Sequence, residues 1–382
     1  MKNRTTLLGV LSIGLLLLSA CTTVGKEGLA SFPIQSSQVQ GSSETMFRAN
    51  AQNTGAYDAL GVPEFDGAHR SFEMEGPVLS SPSILGDVVY LGGADGNFYA
   101  LDADSLEERW RYSTWSSIVS TPALIDGVAY FGTGAGNLHA LDLETGRELW
   151  RFDAGIGVAS SPVVAGETVY FGGGDGVLYA VDVQAGTETW TFQTDGAVIS
   201  SPAIAGEDLF VGSGDGHVYA LDVKTGAERW RFSTGDLVNS SPAVADGIVY
   251  FGSNDGHLYA VAASTGQEKW RFATSQSIGS SPAVTEGVVY VGSDDGHLYA
   301  LDAQTGQERW RFKTEGALFS SPSVANGVVY VGSLDWSVYA LDIKTGQERW
   351  RFETTGAIFS SPAIADGAVY IGSDDHQLYL LR

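Results

Sequence analysis

The sequence predicts an all-β protein: an eight-bladed β-propeller made of four-stranded antiparallel blades. Three observations support this prediction. A proline recurs every 40 residues from Pro82 to Pro362, and a tryptophan keeps the same step from Trp110 to Trp350. A fixed period of this size is typical of solenoids, propellers and other repeat arrays. Each unit also contains four short strand patterns, and the strand that the last unit lacks is found before the first unit.

The strand patterns are clearest in the copy that contains Pro282. Its predicted strands are residues 278–284, 288–292, 297–302 and 308–312. In the fourth, Glu308, Trp310 and Phe312 alternate with basic residues, as expected of a strand with two different faces. Four antiparallel strands in about 40 residues form one propeller blade.

Glycine-containing dipeptides separate these strands. Asp246-Gly247 and Asn326-Gly327, in sister copies, suit two-residue hairpins between strands one and two, where both turn residues need positive φ. We expect the same geometry at Asp295-Gly296 and Thr305-Gly306, which follow strands two and three.

The end of the chain predicts how the ring closes. The unit opened by Pro362 stops at Arg382 after three strands and has no tryptophan. Residues 69–82 align with residues 349–362, and Arg70 stands where the tryptophan would be. We therefore expect the residues around 69–74 to complete the eighth blade, which removes the free sheet edges of an open ring.

The N-terminal region has the pattern of an exported lipoprotein. Residues 1–20 predict a signal peptide, with Lys2 and Arg4 before an apolar run that is too short for a membrane span. The run ends in Leu-Ser-Ala before Cys21, which resembles the lipobox of bacterial lipoproteins and implies lipid attachment at Cys21. This is the sole cysteine, so the folded part has no disulfide framework.

Composition defines the remaining domains and excludes some partners. Residues 21–45 are rich in Ser, Gly, Thr and Gln and predict a flexible tether. Residues 46–65 form a lead-in segment expected to pack on the ring, and residues 66–382 form the propeller. The net charge of −24 opposes binding to nucleic acid or to an anionic lipid surface, leaving the lipid anchor as the membrane contact.

The repeat resembles a known family. Ala300, Asp302, Thr305, Gly306 and Trp310 are spaced as in the tryptophan-docking motif of quinoprotein (PQQ-dependent) dehydrogenases, and residues 66–382 resemble the PQQ-like repeat family. The resemblance implies that the tryptophans are structural and pack between neighbouring blades. They are Trp110, Trp150, Trp190, Trp230, Trp270, Trp310 and Trp350.

Two functions fit this resemblance. One is a quinoprotein dehydrogenase that binds PQQ and calcium over the central channel. However, the chain has no adjacent cysteine pair, and its repeats lack the insertions that build a cofactor roof in such enzymes. The other is a non-catalytic lipoprotein without cofactor, similar to the BamB-type component of the outer-membrane β-barrel assembly machinery.

The second function is the one we favour. It predicts a scaffold that binds other envelope proteins, anchored by lipid to the bacterial cell envelope. If the organism has two membranes, the resemblance favours the outer membrane, with the propeller facing the periplasm.

Residues that break the repeat are the candidates for a binding site. Trp336 replaces a turn glycine, and Trp115 lies in the loop leading into the second unit. Both loops are expected on one face of the ring, where exposed tryptophans could bind a partner. The alternative is that each tryptophan packs on its own loop.

Other polar positions repeat too regularly to form a catalytic or metal site. His217, His257 and His297 occupy one position in successive blades, too far apart to converge on one ion. Eight serines, from Ser80 to Ser360, should ring the innermost strands and bond the backbone. No histidine accompanies them at a fixed offset, so we predict no catalytic residue.

Overall fold

The computed structural model describes residues 45–382, which form eight four-stranded antiparallel sheets. The predicted eight-bladed β-propeller is therefore confirmed. One short 3₁₀ turn, Phe47–Ala49, lies in the lead-in, and within residues 45–382 no helix is long and apolar enough to cross a membrane. The predicted signal peptide, Cys21 and residues 21–44 of the predicted tether lie outside the described residues.

The first four blades follow each other along the chain, each with its innermost strand first. Blade 1 contains β2 (Ser83–Leu85), β3 (Val88–Gly92), β4 (Asn97–Asp102) and β5 (Glu108–Ser113). Blade 2 contains β6 (Ala123–Ile125), β7 (Val128–Gly132), β8 (Asn137–Asp142) and β9 (Glu148–Asp153). Blade 3 contains β10 (Val163–Ala165), β11 (Thr168–Gly172), β12 (Val177–Asp182) and β13 (Glu188–Gln193). Blade 4 contains β14 (Ala203–Ala205), β15 (Asp208–Gly212), β16 (His217–Asp222) and β17 (Glu228–Ser233).

The other four blades complete the ring. Blade 5 contains β18 (Ala243–Ala245), β19 (Ile248–Gly252), β20 (His257–Ala262) and β21 (Glu268–Ala273). Blade 6 contains β22 (Ala283–Thr285), β23 (Val288–Gly292), β24 (His297–Asp302) and β25 (Glu308–Lys313). Blade 7 contains β26 (Ser323–Ala325), β27 (Val328–Gly332), β28 (Ser337–Asp342) and β29 (Glu348–Glu353). Blade 8 contains β30 (Ala363–Ala365), β31 (Ala368–Gly372), β32 (Gln377–Leu381) and the N-terminal β1 (His69–Glu73).

Closure of the ring occurs as the sequence predicts. β1 pairs antiparallel with β32, with His69 opposite Leu381 and Glu73 opposite Gln377. The N-terminal strand is therefore the outermost strand of the last blade, and pairing across the chain ends leaves no open end between blades 8 and 1.

The first strand of each blade is shorter than predicted, because serine hydroxyls replace part of its backbone pairing. In blade 6 it spans Ala283–Thr285, where residues 278–284 were expected. Upstream of the same strand in blade 1, the hydroxyl of Ser80 donates to the carbonyl of Gly92 at 2.7 Å and accepts from its amide at 3.0 Å. The equivalent serines are all buried, and they bond the backbone as predicted.

Only one of the three turn types has the predicted geometry. Asp246 and Gly247 have φ values of 49° and 73°, so the two-residue hairpin between strands one and two is confirmed. The expectation for Asp295-Gly296 and Thr305-Gly306 is wrong, because positive φ occurs there at the glycines and not at the preceding residues. In each turn an aspartate carboxylate stabilises the backbone instead. Asp295 accepts from the amide of His297 at 3.0 Å, and Asp302 accepts from that of Thr305 at 2.9 Å.

Tryptophans lie at the junctions between blades. The indole of Trp310 in blade 6 donates to the carbonyl of Ile343 in blade 7 at 3.1 Å, and the hydroxyl of Tyr290 donates to the same oxygen at 3.3 Å. Equivalent indole bonds link other neighbouring blades, from Trp110, Trp150, Trp230 and Trp270. A large aromatic ring with a satisfied donor contributes much of the apolar contact at such a junction.

The glycine that faces each tryptophan leaves no room for a side chain. A Cβ on Gly346 would lie 2.5 Å from the ring of Trp310. In blade 1 this position is Leu106, and the residue on the preceding blade that would face it is Arg70 instead of tryptophan. Leu106 is buried and occupies a core cluster with Phe72. At the closing junction, both the tryptophan and the glycine that would face it are therefore replaced.

The innermost strands are joined by a belt of hydrogen bonds around the axis. At each of seven junctions, the amide of one Ser or Thr donates to the hydroxyl of the serine 40 residues later, or across the closure. Examples are Ser201 to Ser241 at 2.9 Å and Ser361 to Ser81 at 2.8 Å. The other donors are Thr121, Ser161, Ser241, Ser281 and Ser321.

The lead-in segment runs around the axis and covers part of one end of the channel. Its carbonyls accept from the amides of successive inner strands, from Ala51 to Ile204 in β14 through Gly55 to Val324 in β26. The side chain of Asn53 bonds three carbonyls of blades 4 and 5, and Arg48 bonds those of Ser281 and Pro322. At the last tryptophan junction, the carbonyl of Val62 accepts from Trp350 at 2.7 Å.

The belt makes a stability prediction. Replacing Ser241 by alanine leaves the buried amide of Ser201 without an acceptor, so the free energy of unfolding should fall by about 1–3 kcal/mol. Urea denaturation measures this change. Thr121→Val is the matched control, because no described amide bonds to the hydroxyl of Thr121. An equal effect of the two substitutions would show that the belt bonds add nothing specific.

Candidate partner-binding surface

The candidate site residues lie on one face of the ring, which we call the loop face. It is built from the loops between strands two and three and the loops that enter strand one. The two kinds of loop contact each other: the amide of Thr114 donates to Gly96, and that of Thr354 to Trp336. The structure thus places Trp115 and Trp336 on the same face, as predicted.

Trp115 is the most exposed large apolar side chain of the described residues. It is 92% exposed and has a φ of 59°, in the left-handed region that a bulky residue rarely adopts. In six of the seven equivalent loops the amide at this position bonds a turn aspartate, as Glu315 bonds Asp335 at 2.9 Å. The corresponding turn residue for Trp115 is Ala135, which has no carboxylate. The loop that contains Trp115 therefore lacks the hydrogen bond to a turn aspartate that most of the equivalent loops make.

Trp336 has the second unusual backbone on this face. Its φ is 76° and its side chain is 54% exposed, whereas six of the other blades have glycine here. A left-handed conformation at a non-glycine residue costs on the order of 1–3 kcal/mol. The turn itself is normal, since the carbonyl of Trp336 accepts from Thr354 as glycine does elsewhere. The strain therefore serves to present an indole to solvent.

His376 continues this series in blade 8. It occupies the position of Trp336, has a φ of 71°, and is exposed. Trp336 lies in blade 7, His376 in blade 8, and Trp115 in the loop that leaves blade 1, so the three strained residues lie on consecutive blades. We call this the 7–8–1 arc. The sequence alone does not identify His376 as a candidate, because its left-handed backbone is visible only in the structure.

The charge of the arc has one sign. Its loops contain exposed carboxylates at Glu75, Glu315 and Asp374. No lysine or arginine occurs in the loops of residues 74–82, 93–96, 114–122, 314–322, 333–336, 354–362 and 373–376. The surface therefore combines aromatic groups with negative charge.

The channel mouth on the loop face is mainly apolar. The residues just before the inner serines are Leu79, Val119, Ala159, Ile199, Asn239, Gly279, Phe319 and Phe359. The rings of Phe319 and Phe359 lie 6.0 Å apart, on adjacent blades. PQQ is a tricarboxylate that needs cationic or hydrogen-bonding partners and a calcium site. Within residues 45–382, no three His, Cys, Asp or Glu side chains are grouped so that they could hold a metal ion.

Asp294 is the polar residue of this face with the least satisfied side chain. Its Oδ1 is buried and has no partner among the described residues. Burial, with a smaller contribution from the neighbouring Asp295, raises the pKa of Asp294 to about 6. The adjacent blade has Asn254 at this position, and its amide bonds Leu237 as that of Asp294 bonds Ser277. An amide side chain thus fits the same backbone.

A second polar group is buried between blades 1 and 2. His139 bonds Glu148 at 2.9 Å, and the hydroxyl of Tyr112 donates to the same carboxylate at 2.5 Å. Burial alone would raise the pKa of Glu148, but the hydrogen bonds from His139 and Tyr112 lower it below its ordinary value. His139 is 3% exposed. Because the group is sealed inside the junction, its contribution is to packing.

The remaining predicted positions do not converge on a site. His217, His257 and His297 each pair with the aspartate of their own turn, at 3.1–3.2 Å. Those aspartates also accept tyrosine hydroxyls, as Asp295 does from Tyr299 at 2.8 Å. Their carboxylates are thus engaged in the blade itself.

Family models match two overlapping parts of the chain. A PQQ-like repeat model described as outer membrane protein assembly factor BamB matches residues 69–151 and 107–253. A model described as the β-propeller of beta-alanine-activating enzyme matches residues 204–382. A search of curated proteins gives no significant match.

Solved structures share the architecture. BamB from Moraxella catarrhalis has a TM-score of 0.72 and 23% identity, covering 82% of this chain and 98% of its own. The quinohemoprotein alcohol dehydrogenase from Comamonas testosteroni has a TM-score of 0.75 and 15% identity, covering 88% and 80%. The computationally designed Ika8 protein has 0.73 and 19%, covering 81% and 98%. The resemblance to PQQ-like and BamB-type propellers is confirmed, and at these identities it concerns the fold alone.

The buried carboxylate of Asp294 gives a pH prediction. Its folded pKa of about 6 lies above the unfolded value of 3.8, so the folded state holds a proton that the unfolded state has released. Stability should therefore fall as pH rises from about 4 to about 6. Since the group is partly exposed, Asp294→Asn should stabilise the protein at pH 8 by only ~1 kcal/mol.

Thermal denaturation at pH 4 and pH 8 measures this effect, and Asp374→Asn at the exposed equivalent position is the control. A gain from Asp294→Asn that is the same at both pH values would contradict the assignment.

Proposed function

We propose that this chain is a non-catalytic envelope lipoprotein whose propeller binds another protein through its loop face. The observation that carries the proposal is Trp336: an exposed indole held in a strained backbone at a turn position that is glycine in most blades. Strain that persists without a packing reason is typical of functional positions. Trp115 adds a second exposed indole on the same face, and tryptophan is enriched among residues that dominate protein interfaces.

The chemistry of the arc favours one kind of partner. Aromatic groups beside Glu75, Glu315 and Asp374 suit a surface that carries basic residues around apolar ones. The BamB match supports a role in outer-membrane protein assembly, which we propose as the setting of this interaction. The lipid on Cys21 would hold the protein at the membrane, facing the periplasm if two membranes are present.

A quinoprotein dehydrogenase is the second candidate, because such enzymes share the fold at a similar TM-score. That function would need residues around the channel that hold a tricarboxylate and a calcium ion. The apolar mouth around Phe319 and Phe359 argues against it. The scaffold function requires no such residues and uses the exposed indoles that the structure does present.

Glycine substitutions test the loop face without disturbing the fold. Trp336→Gly and Trp115→Gly should each leave the free energy of unfolding within about 1 kcal/mol of the original, since relief of strain offsets the entropy of glycine. A photoreactive amino acid at Glu315, beside Trp336, should cross-link a protein in the native envelope, and the double glycine variant should lose that product.

The control for cross-linking is Asp126, an exposed turn residue on the opposite face. A product from Glu315 that survives both glycine substitutions would contradict binding through the arc.

The lipid anchor is tested separately. Cys21→Ser removes the thiol that accepts the lipid, so the protein should move from the membrane fraction to the soluble fraction of the envelope. Fractionation followed by immunoblotting measures this. Retention of the Cys21→Ser protein on membranes at the original level would exclude Cys21 as the anchor.

A further inference from the structure

The face opposite the loop face contains an open cavity beside two uncovered strands. The cavity measures about 520 Å³ and lies between the lead-in and the inner strands of blades 8 and 1, β30 and β2. Its walls include Ile84 and Ile364 from these strands, and Met46 and Tyr57 from the lead-in. This volume falls within the range of sites that bind small ligands or short peptides.

The lead-in shows what the inner strands bind. The middle residue of an inner strand points its amide toward the axis, and there it donates to a lead-in carbonyl. Leu124 donates to Thr45, Ile204 to Ala51, Val244 to Gln52, Val284 to Thr54 and Val324 to Gly55, at distances of 2.7–2.9 Å. An extended chain that runs around the axis therefore offers about one carbonyl to each blade.

Blades 8 and 1 lack this partner. The equivalent amides belong to Ile364 and Ile84, and no described residue bonds to either. The amide of Val164 in blade 3 also lacks a lead-in carbonyl, but Val164 does not line the cavity, whereas Ile84 and Ile364 do. Unpaired donors on an inner strand are a template for another chain, which is why proteins usually cover such edges. The lead-in follows the inner strands from Thr45, at blade 2, round to Tyr57, at blade 7. It leaves blades 8 and 1 uncovered, and the cavity occupies this gap.

We propose that this cavity binds an extended segment of a partner protein, whose carbonyls accept hydrogen bonds from the amides of Ile84 and Ile364 and which carries a basic side chain. The mode follows from the lead-in, since the occupant would continue the same interface across blades 8 and 1. The basic side chain follows from Asp58 and Asp366, two exposed carboxylates at the rim. The positive charge of Arg48 does not exclude a basic side chain from the cavity, because the guanidinium is buried and bonds the carbonyls of Ser281 and Pro322.

The inference goes beyond the proposed function and rests on it only in taking the occupant to be a protein segment. The two sites lie on opposite faces, so they can fail independently. Loss of cross-linking from Glu315 in the glycine variants concerns the loop face, whereas changes at the amides of Ile84 and Ile364 concern the cavity.

Amide NMR of the soluble Cys21→Ser protein, without its signal peptide, tests the proposal. The probe is acetyl-Ala-Lys-Thr-Gly-amide, and acetyl-Ala-Glu-Thr-Gly-amide is its charge-reversed control. We expect saturable shifts of the Ile84 and Ile364 amides with the lysine peptide, at least ten-fold weaker binding of the glutamate peptide, and no response of Val244, the equivalent residue in blade 5, whose amide already bonds Gln52. Ile84→Pro removes one donor at an edge position that tolerates proline, and it should weaken binding with the fold retained.

Two outcomes would overturn the proposal. One is no shift at Ile84 and Ile364, or an equal response to both peptides. The other is protection of both amides from hydrogen exchange without peptide, lost when the chain is shortened to begin at Thr45. That result would show that the chain's own N-terminal residues occupy the cavity.

Discussion

The belt of hydrogen bonds around the axis is the interaction on which the rest of the structure depends. Each inner strand is only three residues long, and its pairing within the blade is correspondingly limited. The belt joins these strands to one another, from Ser201 to Ser241 and onward to the closing bond between Ser361 and Ser81. Because both groups are buried in every pair except the part-buried closing one, loss of a bond would leave polar atoms that water cannot reach. The Ser-Ser-Pro element, which is Ser-Thr-Pro in blade 2, thus fixes the spacing of the blades.

A ring of near-identical units accommodates changes only in matched pairs. Arg70 replaces a docking tryptophan, and Leu106 then replaces the glycine that would have faced it. Ala135 replaces a turn aspartate, and His139 replaces the tyrosine that would have donated to it, turning instead to Glu148. Trp336 and His376 are different, since no partner changes with them. Leu106 also has a left-handed backbone, but its side chain is buried, whereas those of Trp336 and His376 are exposed. This contrast separates structural exchanges from the residues that we assign to binding.

Much of the architecture could be predicted from the sequence because each repeat shows the same local preferences for strands and turns. The hairpin at Asp246-Gly247 follows from two residues that favour positive φ, and blade closure by β1 follows from an alignment of two segments. The turn at Asp295 could not be predicted in this way, because its geometry depends on bonds to His297 and Tyr299 that form only once the strands are paired.

The candidate sites also have some features that the sequence predicts and others that only the structure shows. Trp115 and Trp336 are visible as breaks in the pattern, but their exposure and left-handed backbones depend on the neighbouring loops. The cavity beside Ile84 and Ile364 has no signal in the repeat, because these residues match their equivalents in other blades. It exists because the lead-in, a single copy, covers an eight-fold ring incompletely.

The central claim is that this propeller works by binding a protein and not by holding a quinone cofactor. Calorimetric titration of residues 46–382 with PQQ and calcium tests that claim most directly. Our account predicts no saturable heat, because the channel mouth around Phe319 and Phe359 is apolar and the opposite end holds Arg48 and Asn53. Saturable one-to-one binding would contradict the account and point to a quinoprotein.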